Sequence, residues 1–385
     1  MRSPAFRLVL VLTVLGIGGH ALLLPVLPLW VSRGGAGEFG AGSTTGVFMA
    51  ATVATQLAVP WLIRRCGYRV VFGGGLVLLG VPTPLLLLTA ALPPVLALSA
   101  VRGVGFGLLT VAGSALVAEL VPPAEHGRAS SRYGYAIGIP ILALLPLGVA
   151  TVDLVGFTGV FLAAALAPLL GALVVPFLRI PPSPPPTREA PTLGARVEPV
   201  GETRPFVRAG VGPMAAMLAG SVAQGGLVTF LPLVAPEADV AVPLALFVAA
   251  LGGVVGRGVA GPLVDRRGPG RLLVPGGLLV AVGMGVAVAA VGLSPWLFVP
   301  GALAVGFGFG LVQNDSLVSL FAAAGPARYG TASAAWNIGF DAGTGAGATG
   351  LGAIAQPFGF RAAFATAAVL ALVVAPLTRR RAREP

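Results

Sequence analysis

The chain has no lysine, a single cysteine, two histidines and few charged or aromatic residues. Charged side chains make up 10% of its 385 residues and aromatic side chains 7%. Without lysine, the Gly-x-x-x-x-Gly-Lys loop of nucleotide-hydrolysing enzymes cannot form. The lone cysteine, Cys66, excludes an internal disulfide, and with only two distant histidines it also excludes the common zinc frameworks. We therefore predict a protein with no bound metal and no cofactor, and not an enzyme.

What the chain does have is long apolar runs from end to end. Hydrophobic residues make up 56% of it, the mean hydropathy is +0.95, and there are 57 glycines. Apolar runs of 18 or more residues are typical of transmembrane helices, because about 20 residues span a ~30 Å hydrocarbon core. Abundant glycine suits close helix packing in lipid. The composition predicts an all-α polytopic membrane protein.

Twelve apolar runs are long enough to span the membrane. They lie at residues 8–31, 44–63, 70–90, 94–119, 133–152, 157–178, 207–234, 242–263, 272–292, 296–321, 331–354 and 360–377. Nearly all of the arginines fall in alternate connections and in the two termini, which by the positive-inside rule places both termini in the cytoplasm. The net charge of +11 is therefore interpreted as a determinant of membrane topology rather than as a nucleic-acid-binding surface.

A segment of different composition divides the chain into two halves. It is rich in proline, arginine and glutamate, so it cannot form a core and is predicted to be a flexible linker. The predicted organisation is a six-helix bundle at 1–178, a cytoplasmic linker at 179–205, a second six-helix bundle at 206–378 and a basic cytoplasmic tail at 379–385.

The two halves repeat each other in sequence. "VGFGLL" at 104–109 parallels "FGFGLV" at 307–312, and "GFTGVF" at 156–161 parallels "GFRAAF" at 359–364. Five segment pairs match in the same order, at offsets of 201–207 residues. Two pseudo-symmetric six-span halves around a central site are the architecture of major facilitator transporters.

One loop carries a more specific resemblance. "GPLVDRRGPGR" at 261–271 resembles the loop signature of the major facilitator superfamily, in which a tight cytoplasmic turn helps to latch the gate. The first-half copy, "PWLIRRCG" at 60–67, has proline and arginine in place of the glycine and the aspartate, so any carboxylate latch depends on Asp265. The residues that match the signature are Gly261, Asp265, Arg266, Gly268, Arg271, Arg65 and Gly67.

Ionisable residues inside the predicted spans are candidates for proton coupling. A charge at mid-bilayer costs roughly 2.5–3.5 kcal/mol on insertion scales, so such residues indicate either function or structural pairing. Asp341 is the first candidate. Gly339, Gly343 and Gly347 share one helix face beside it, so a neighbouring helix can approach closely there and Asp341 is shielded from lipid. Asp315 is the second candidate and could equally serve the gate. Two further candidates are Arg102, which resembles the family's span-4 arginine signature three residues out of register, and His20.

Uncharged polar residues in the spans could line a polar cavity. These substrate-cavity candidates are Gln56, Gln224, Gln313 and Asn337. "YGYAIGIP" at 133–140 resembles the span-5 signature of drug–proton antiporters through Gly134 and Gly138, although its proline comes one residue late and the closing glycine pair is missing.

The sequence is identified as a major facilitator transporter, most similar to the twelve-span drug–proton antiporters and efflux carriers. The resemblance implies proton-driven export of a small, largely apolar compound across the cytoplasmic membrane, in a bacterium. The predicted partners are a small-molecule substrate and the lipid bilayer, and the protein is expected to work as a monomer. Two alternatives remain open, an importer or facilitator of a small metabolite on the same fold and a non-transporting membrane sensor.

Overall fold

A computed structural model of the protein describes residues 3–121, 126–179, 203–238, 240–324 and 329–378, and every regular element in these ranges is helical. Most of the predicted linker and all of the predicted tail lie outside the described residues. The α-helices are α1 Pro4–Arg33, α2 Gly37–Gly80, α3 Pro82–Leu85, α4 Leu92–Glu119, α5 His126–Ala150, α6 Val152–Val174, α7 Thr203–Val234, α8 Ala241–Arg267, α9 Leu273–Leu293, α10 Phe298–Ala324 and α11 Tyr329–Leu377. Short 3-10 helices lie at Leu86–Leu88, Val175–Phe177 and Pro295–Leu297.

Ten helical stretches in the described ranges are long and apolar enough to cross a membrane. Two of them are much longer than one crossing requires, Gly37–Leu88 with 52 residues and Ala332–Ala375 with 44. At 1.5 Å per residue they would measure about 78 and 66 Å if straight, against a ~30 Å hydrocarbon core. Neither is straight, because α2 is broken at Gly67 (φ 79°, ψ 160°) and α11 at Gly359 (φ 78°, ψ 168°).

Before its break, α2 runs in the same direction as α4. A Cβ placed on Gly103 would overlap the carbonyl oxygen of Phe48, and one placed on Gly107 would lie 2.9 Å from the carbonyl oxygen of Thr52. Residue numbers therefore rise together along the two helices.

After the break, the direction of α2 is reversed. A Cβ placed on Gly75 would lie 2.8 Å from the amide nitrogen of Leu109, whereas one on Gly105 would lie 2.8 Å from the amide nitrogen of Leu79. Residue numbers now rise along one helix as they fall along the other. The chain of α2 therefore folds back on itself at the break.

The second long helix, α11, folds back in the same way. Gly339, near its start, lies against the Met214 side chain of α7. Thr378, which follows its last residue, lies 3.7 Å from the position of a Cβ on Gly212 of the same helix. Two residues 39 positions apart can meet one end of α7 only if the chain reverses between them.

Backbone conformation repeats between the halves at the positions where the sequence repeats. Gly156 breaks α6 with φ 69° and ψ 172°, close to the values at Gly359, its counterpart in the repeat. Gly67 and its counterpart Gly268 have φ values of 79° and 84°. Positive φ is accessible to glycine without the steric cost that a Cβ brings, so glycine is the residue required at each of these turns.

The described helices form two compact units. One contains α1 to α6 together with Val228–Pro243, and the other contains α9 to α11 and the rest of α7 and α8. Phe72, Leu76 and Leu109 are fully buried in the core of the first unit. In the second unit, α9 and α10 approach closely through facing glycines, such as Gly276 and Gly308.

Candidate functional site

Three helices of the first unit bring a histidine, an arginine and two phenylalanines together. His20 of α1 lies with its ring centroid 4.8 Å from that of Phe48 of α2 and 4.4 Å from that of Phe106 of α4. The guanidinium carbon of Arg102, also on α4, is 5.6 Å from the centroid of the Phe48 ring. His20 and Arg102 are buried, with 7% and 3% of their surface exposed.

Local sequence explains why these side chains meet. Arg102 and Phe106 are four residues apart and so share one face of α4. Gly103 allows the α2 backbone at Phe48 to lie against α4, because a Cβ there would overlap the Phe48 carbonyl oxygen. One turn further along, the Thr52 hydroxyl donates to the Gly103 carbonyl oxygen at 3.0 Å and fixes the two helices in this register.

The arginine in this cluster is poorly compensated. Its buried Nε has no hydrogen-bond partner in the part of the chain that the structure describes. Stacking on Phe48 contributes about 0.5–2 kcal/mol, which falls short of the several kcal/mol that removing a charge from water costs. The Ser99 hydroxyl, one turn earlier on α4, is also buried without a partner.

A small cavity opens beside the cluster, and we call it the α1–α2–α4 cavity. Its polar and aromatic wall consists of His20, Thr44, Thr45, Phe48 and Arg102, and leucines and a proline of α1 form the apolar wall. Its volume is about 20 Å³, enough for a water-sized group.

Asp315 of α10 is held by backbone amides. Its two carboxylate oxygens each accept a hydrogen bond of 2.7 Å, one from the amide of Gly270 and one from that of Leu272. The Ser319 hydroxyl lies 3.5 Å from one of these oxygens, and Asp315 is completely buried. Leu272 is the residue that precedes α9, so the carboxylate anchors the turn immediately before that helix.

Asp341 lies on α11 beside a close contact with α7. It is 5% exposed. A Cβ placed on Gly343 would lie 2.6 Å from the Ser221 Cβ, and one placed on Gly347 would overlap the carbonyl oxygen of Val222. The glycine face next to Asp341 is thus packed against α7, as the spacing predicted.

The substrate-cavity candidates occupy different helices. Gln56 lies half-buried on α2 of the first unit, and the other three lie in the second unit. The backbone carbonyl of Gln313 on α10 accepts a hydrogen bond of 3.2 Å from the indole nitrogen of Trp336 on α11. Gln224 on α7 has a buried side-chain oxygen without a partner in the described ranges, whereas Asn337 is exposed and donates to the Ser333 carbonyl.

In the loop signature at 261–271, only the last residues form the turn between α8 and α9. Gly261 and Arg266 are helical, because α8 continues to Arg267, and the turn begins only at Gly268 (φ 84°) and includes Gly270 (φ 85°). Gly261 continues the helix and its φ is not positive, so the glycine of the signature that permits the turn is Gly268. Arg266 and Arg271 are exposed on either side of the turn, and the side chain of Asp265 lies outside the described residues.

The corresponding loop of the first half has its break at Gly67. Arg65 stands over the Trp61 ring at 5.5 Å, one helical turn back on α2. The two signature residues here therefore have distinct local environments, a stacked arginine and a glycine with positive φ.

Sequence reasoning missed the aromatic members of the α1–α2–α4 cavity. Phe106 could have been found from its four-residue spacing to Arg102. Phe48 is brought to the site by helix packing across 54 residues, and no local pattern marks it.

Comparison with known proteins places the chain in a family. The family model described as Major Facilitator Superfamily matches residues 9–348. The chain belongs to the Major Facilitator Superfamily. Family and fold together indicate a multi-pass membrane transporter rather than an enzyme. A search of curated protein sequences finds no match.

Solved structures with the same fold include two kinds of transporter. A bacterial homologue of the human lysosomal transporter Spinster, in an inward-facing and occupied conformation, is 16% identical over 99% of this chain and 97% of its own, with a TM-score of 0.79. A POT family transporter in complex with a thioalcohol-conjugated peptide is 16% identical over 97% and 94%, with a TM-score of 0.77. The POT family transporter PepTSo is 12% identical over 100% and 98%, with a TM-score of 0.78. At these identities the likeness concerns the fold alone.

Proposed function

We propose that this protein exports a small, largely apolar compound across the cytoplasmic membrane of a bacterium by proton antiport. Transport itself follows from the family and the fold. We propose the direction of transport, the coupling ion and the substrate class. We also propose that the protein works as a monomer, with alternating access to a central site.

The proposed topology has twelve crossings with both termini in the cytoplasm. The reversals at Gly67 and Gly359 support it, since Gly67 divides the apolar stretch Gly37–Leu88, and Gly359 divides α11, into two segments of membrane-spanning length. Counted this way, the ten apolar stretches provide twelve crossings. The arginine distribution supports the orientation.

The observation that carries the proposal is the burial of ionisable side chains inside apolar helices. Asp341 lies within α11 against the packed α7 face, and it is the residue to which we assign proton coupling. Asp315 is the weaker candidate, since both of its oxygens are engaged by the α8–α9 turn. A carboxylate in an apolar surrounding can exchange a proton as access alternates between the two sides.

The test is growth of a bacterial host stripped of its own efflux pumps, challenged with a broad panel of toxic compounds. The natural protein is compared with empty vector and with Asp341→Asn, and membrane expression is measured for each. Asp153→Asn is the matched control, because that aspartate is exposed near the start of α6. We expect resistance from the natural protein and from Asp153→Asn, and its loss with Asp341→Asn.

The other outcomes separate the alternatives. Resistance that persists in Asp341→Asn would support export and would show that a residue other than Asp341 couples it to protons. Increased sensitivity to a compound indicates import, which is the alternative reading of the same fold. No effect of any compound from a well-inserted protein contradicts export and favours a metabolite carrier or a sensor.

A further inference from the structure

The α1–α2–α4 cavity contains a buried cation without a counter-charge. His20 and Arg102 both line it, and none of its lining residues is acidic. In the described part of the chain, no carboxylate forms an ion pair with Arg102, and its Nε has no hydrogen-bond partner. A buried charge is normally paired, because an uncompensated one is strongly destabilising.

A structural role accounts poorly for this arrangement. A buried arginine with a purely structural role is expected to donate to backbone carbonyls; even the exposed Arg257 does so, from its Nε to the Gly253 carbonyl at 3.3 Å. Arg102 instead meets an aromatic face on one side and an open cavity on the other. The cation is therefore unpaired within the described residues and lines a cavity that a small anionic group could occupy.

The size and lining of the cavity define the ligand. A volume of about 20 Å³ admits one water-sized polar group, such as a carboxylate oxygen, and excludes a whole substrate. Planar guanidinium matches a carboxylate, with which it forms paired, charge-assisted hydrogen bonds. Leu23, Leu24 and Leu27 of α1 line the same cavity, so the wall around the bound group is largely apolar and suits a carboxylate that is carried on an apolar body.

We propose that the α1–α2–α4 cavity binds the carboxylate of the transported compound, with Arg102 as its counter-charge, so that the substrate is a small apolar monocarboxylate. His20, stacked between Phe48 and Phe106, forms the side of the pocket next to the guanidinium. The proposal rests on the proposed transport function and specifies its substrate class.

The experiment measures binding to the purified full chain in detergent, without transport. Butyrate, octanoate and benzoate are each compared with the corresponding primary amide, which has nearly the same shape and no charge. Inorganic phosphate is included as a compact anion without an apolar body. The readouts are the shift in thermal unfolding temperature and the dissociation constant at constant ionic strength.

We expect at least one of the acids to raise the unfolding temperature and to bind at least tenfold more tightly than its amide. Arg102→Gln should abolish this preference and Arg102→Lys should retain part of it. Arg257→Gln, a change of the same type at an exposed arginine of α8, should leave it intact. The acid–amide comparison uses the natural protein, so the proposal is tested even if a variant fails to fold.

Three results would overturn the proposal. These are equal binding of every acid and its amide, an acid preference that survives Arg102→Gln, and phosphate binding as tight as that of the best acid. Failure of the proposed export is distinguishable, since acid binding that depends on Arg102 in a protein conferring no resistance contradicts export and leaves the carboxylate site standing.

Discussion

At the scale of single residues, the buried side chains divide into those that the protein satisfies internally and those that it leaves open. Asp315 has both oxygens occupied by backbone amides, whereas Arg102 has a donor without a partner in the described ranges. Both are charged residues within long apolar helices. Their surroundings therefore assign them different roles, anchoring for Asp315 and binding for Arg102.

Asp315→Asn should destabilise the protein without removing a transported proton. Asparagine has one acceptor oxygen where the carboxylate has two, and its amide nitrogen would face the backbone N–H of Gly270 or Leu272. Leaving one buried N–H unsatisfied costs about 1–3 kcal/mol. Thermal unfolding of the purified protein should show a clearly lower midpoint.

The control for this prediction is Asn337→Ala, which removes an exposed side chain whose hydrogen bond stays within one helical turn. Its midpoint should stay close to that of the natural protein. An Asp315→Asn variant as stable as the natural protein would show that the carboxylate does not hold the α8–α9 turn.

At the scale of helices, the contact between α7 and α11 depends on glycine at positions without space for a methyl group. Gly347→Ala would drive a Cβ into the Val222 carbonyl oxygen, which belongs to the backbone and cannot move independently. Overpacking of this kind typically costs 1–3 kcal/mol. We expect a lower unfolding temperature and less folded protein in the membrane.

Gly350→Ala provides a matched comparison in the same helix. Nothing lies within 4 Å of a Cβ at Gly350, so alanine should be tolerated and should gain up to about 1 kcal/mol of helix propensity. Equal unfolding temperatures for the two variants would contradict the close contact at Gly347.

The break in α2 should be equally sensitive to a side chain. Gly67→Ala places a Cβ on a residue with φ 79° and ψ 160°, a conformation that is essentially restricted to glycine, so it costs roughly 1–3 kcal/mol although the surrounding space is open. Gly74→Ala, in the helical part of α2 with no neighbour within 4 Å, carries no such strain. Comparing the thermal midpoints of the two variants isolates the backbone conformation, and an unchanged midpoint for Gly67→Ala would show that the break tolerates alanine.

The helices were largely predictable from sequence, and the contacts between them only in part. Apolar runs mark the membrane helices, and the internal repeat pairs Gly67 with Gly268 and Gly156 with Gly359, because both signals can be identified by inspecting the sequence alone.

The hydrogen bonds that anchor the α8–α9 turn join Asp315 to Gly270 and Leu272, which are 45 and 43 positions away. No local sequence pattern predicts such contacts. The predicted span at 242–263 ends four residues before α8 does, because the charged residues Asp265, Arg266 and Arg267 resemble a loop when only composition is considered.

At the scale of the whole molecule, the orientation in the membrane can be tested with a natural reporter. Cys66 is the single cysteine of the chain, it is exposed, and it precedes the break in α2. The proposed twelve-crossing topology places this break in the cytoplasm, because α1 starts there and the turn between α1 and α2 lies outside.

A membrane-impermeant maleimide should therefore leave Cys66 unlabelled in intact cells and label it in inside-out vesicles. Cys66→Ser should abolish labelling altogether. Adding Arg33→Cys to that variant moves the only thiol to the exposed end of α1 and should reverse the pattern, with labelling in intact cells. Labelling of Cys66 in intact cells would place the break outside and invert the proposed topology, which would also put the arginine-rich segments on the side that the positive-inside rule disfavours.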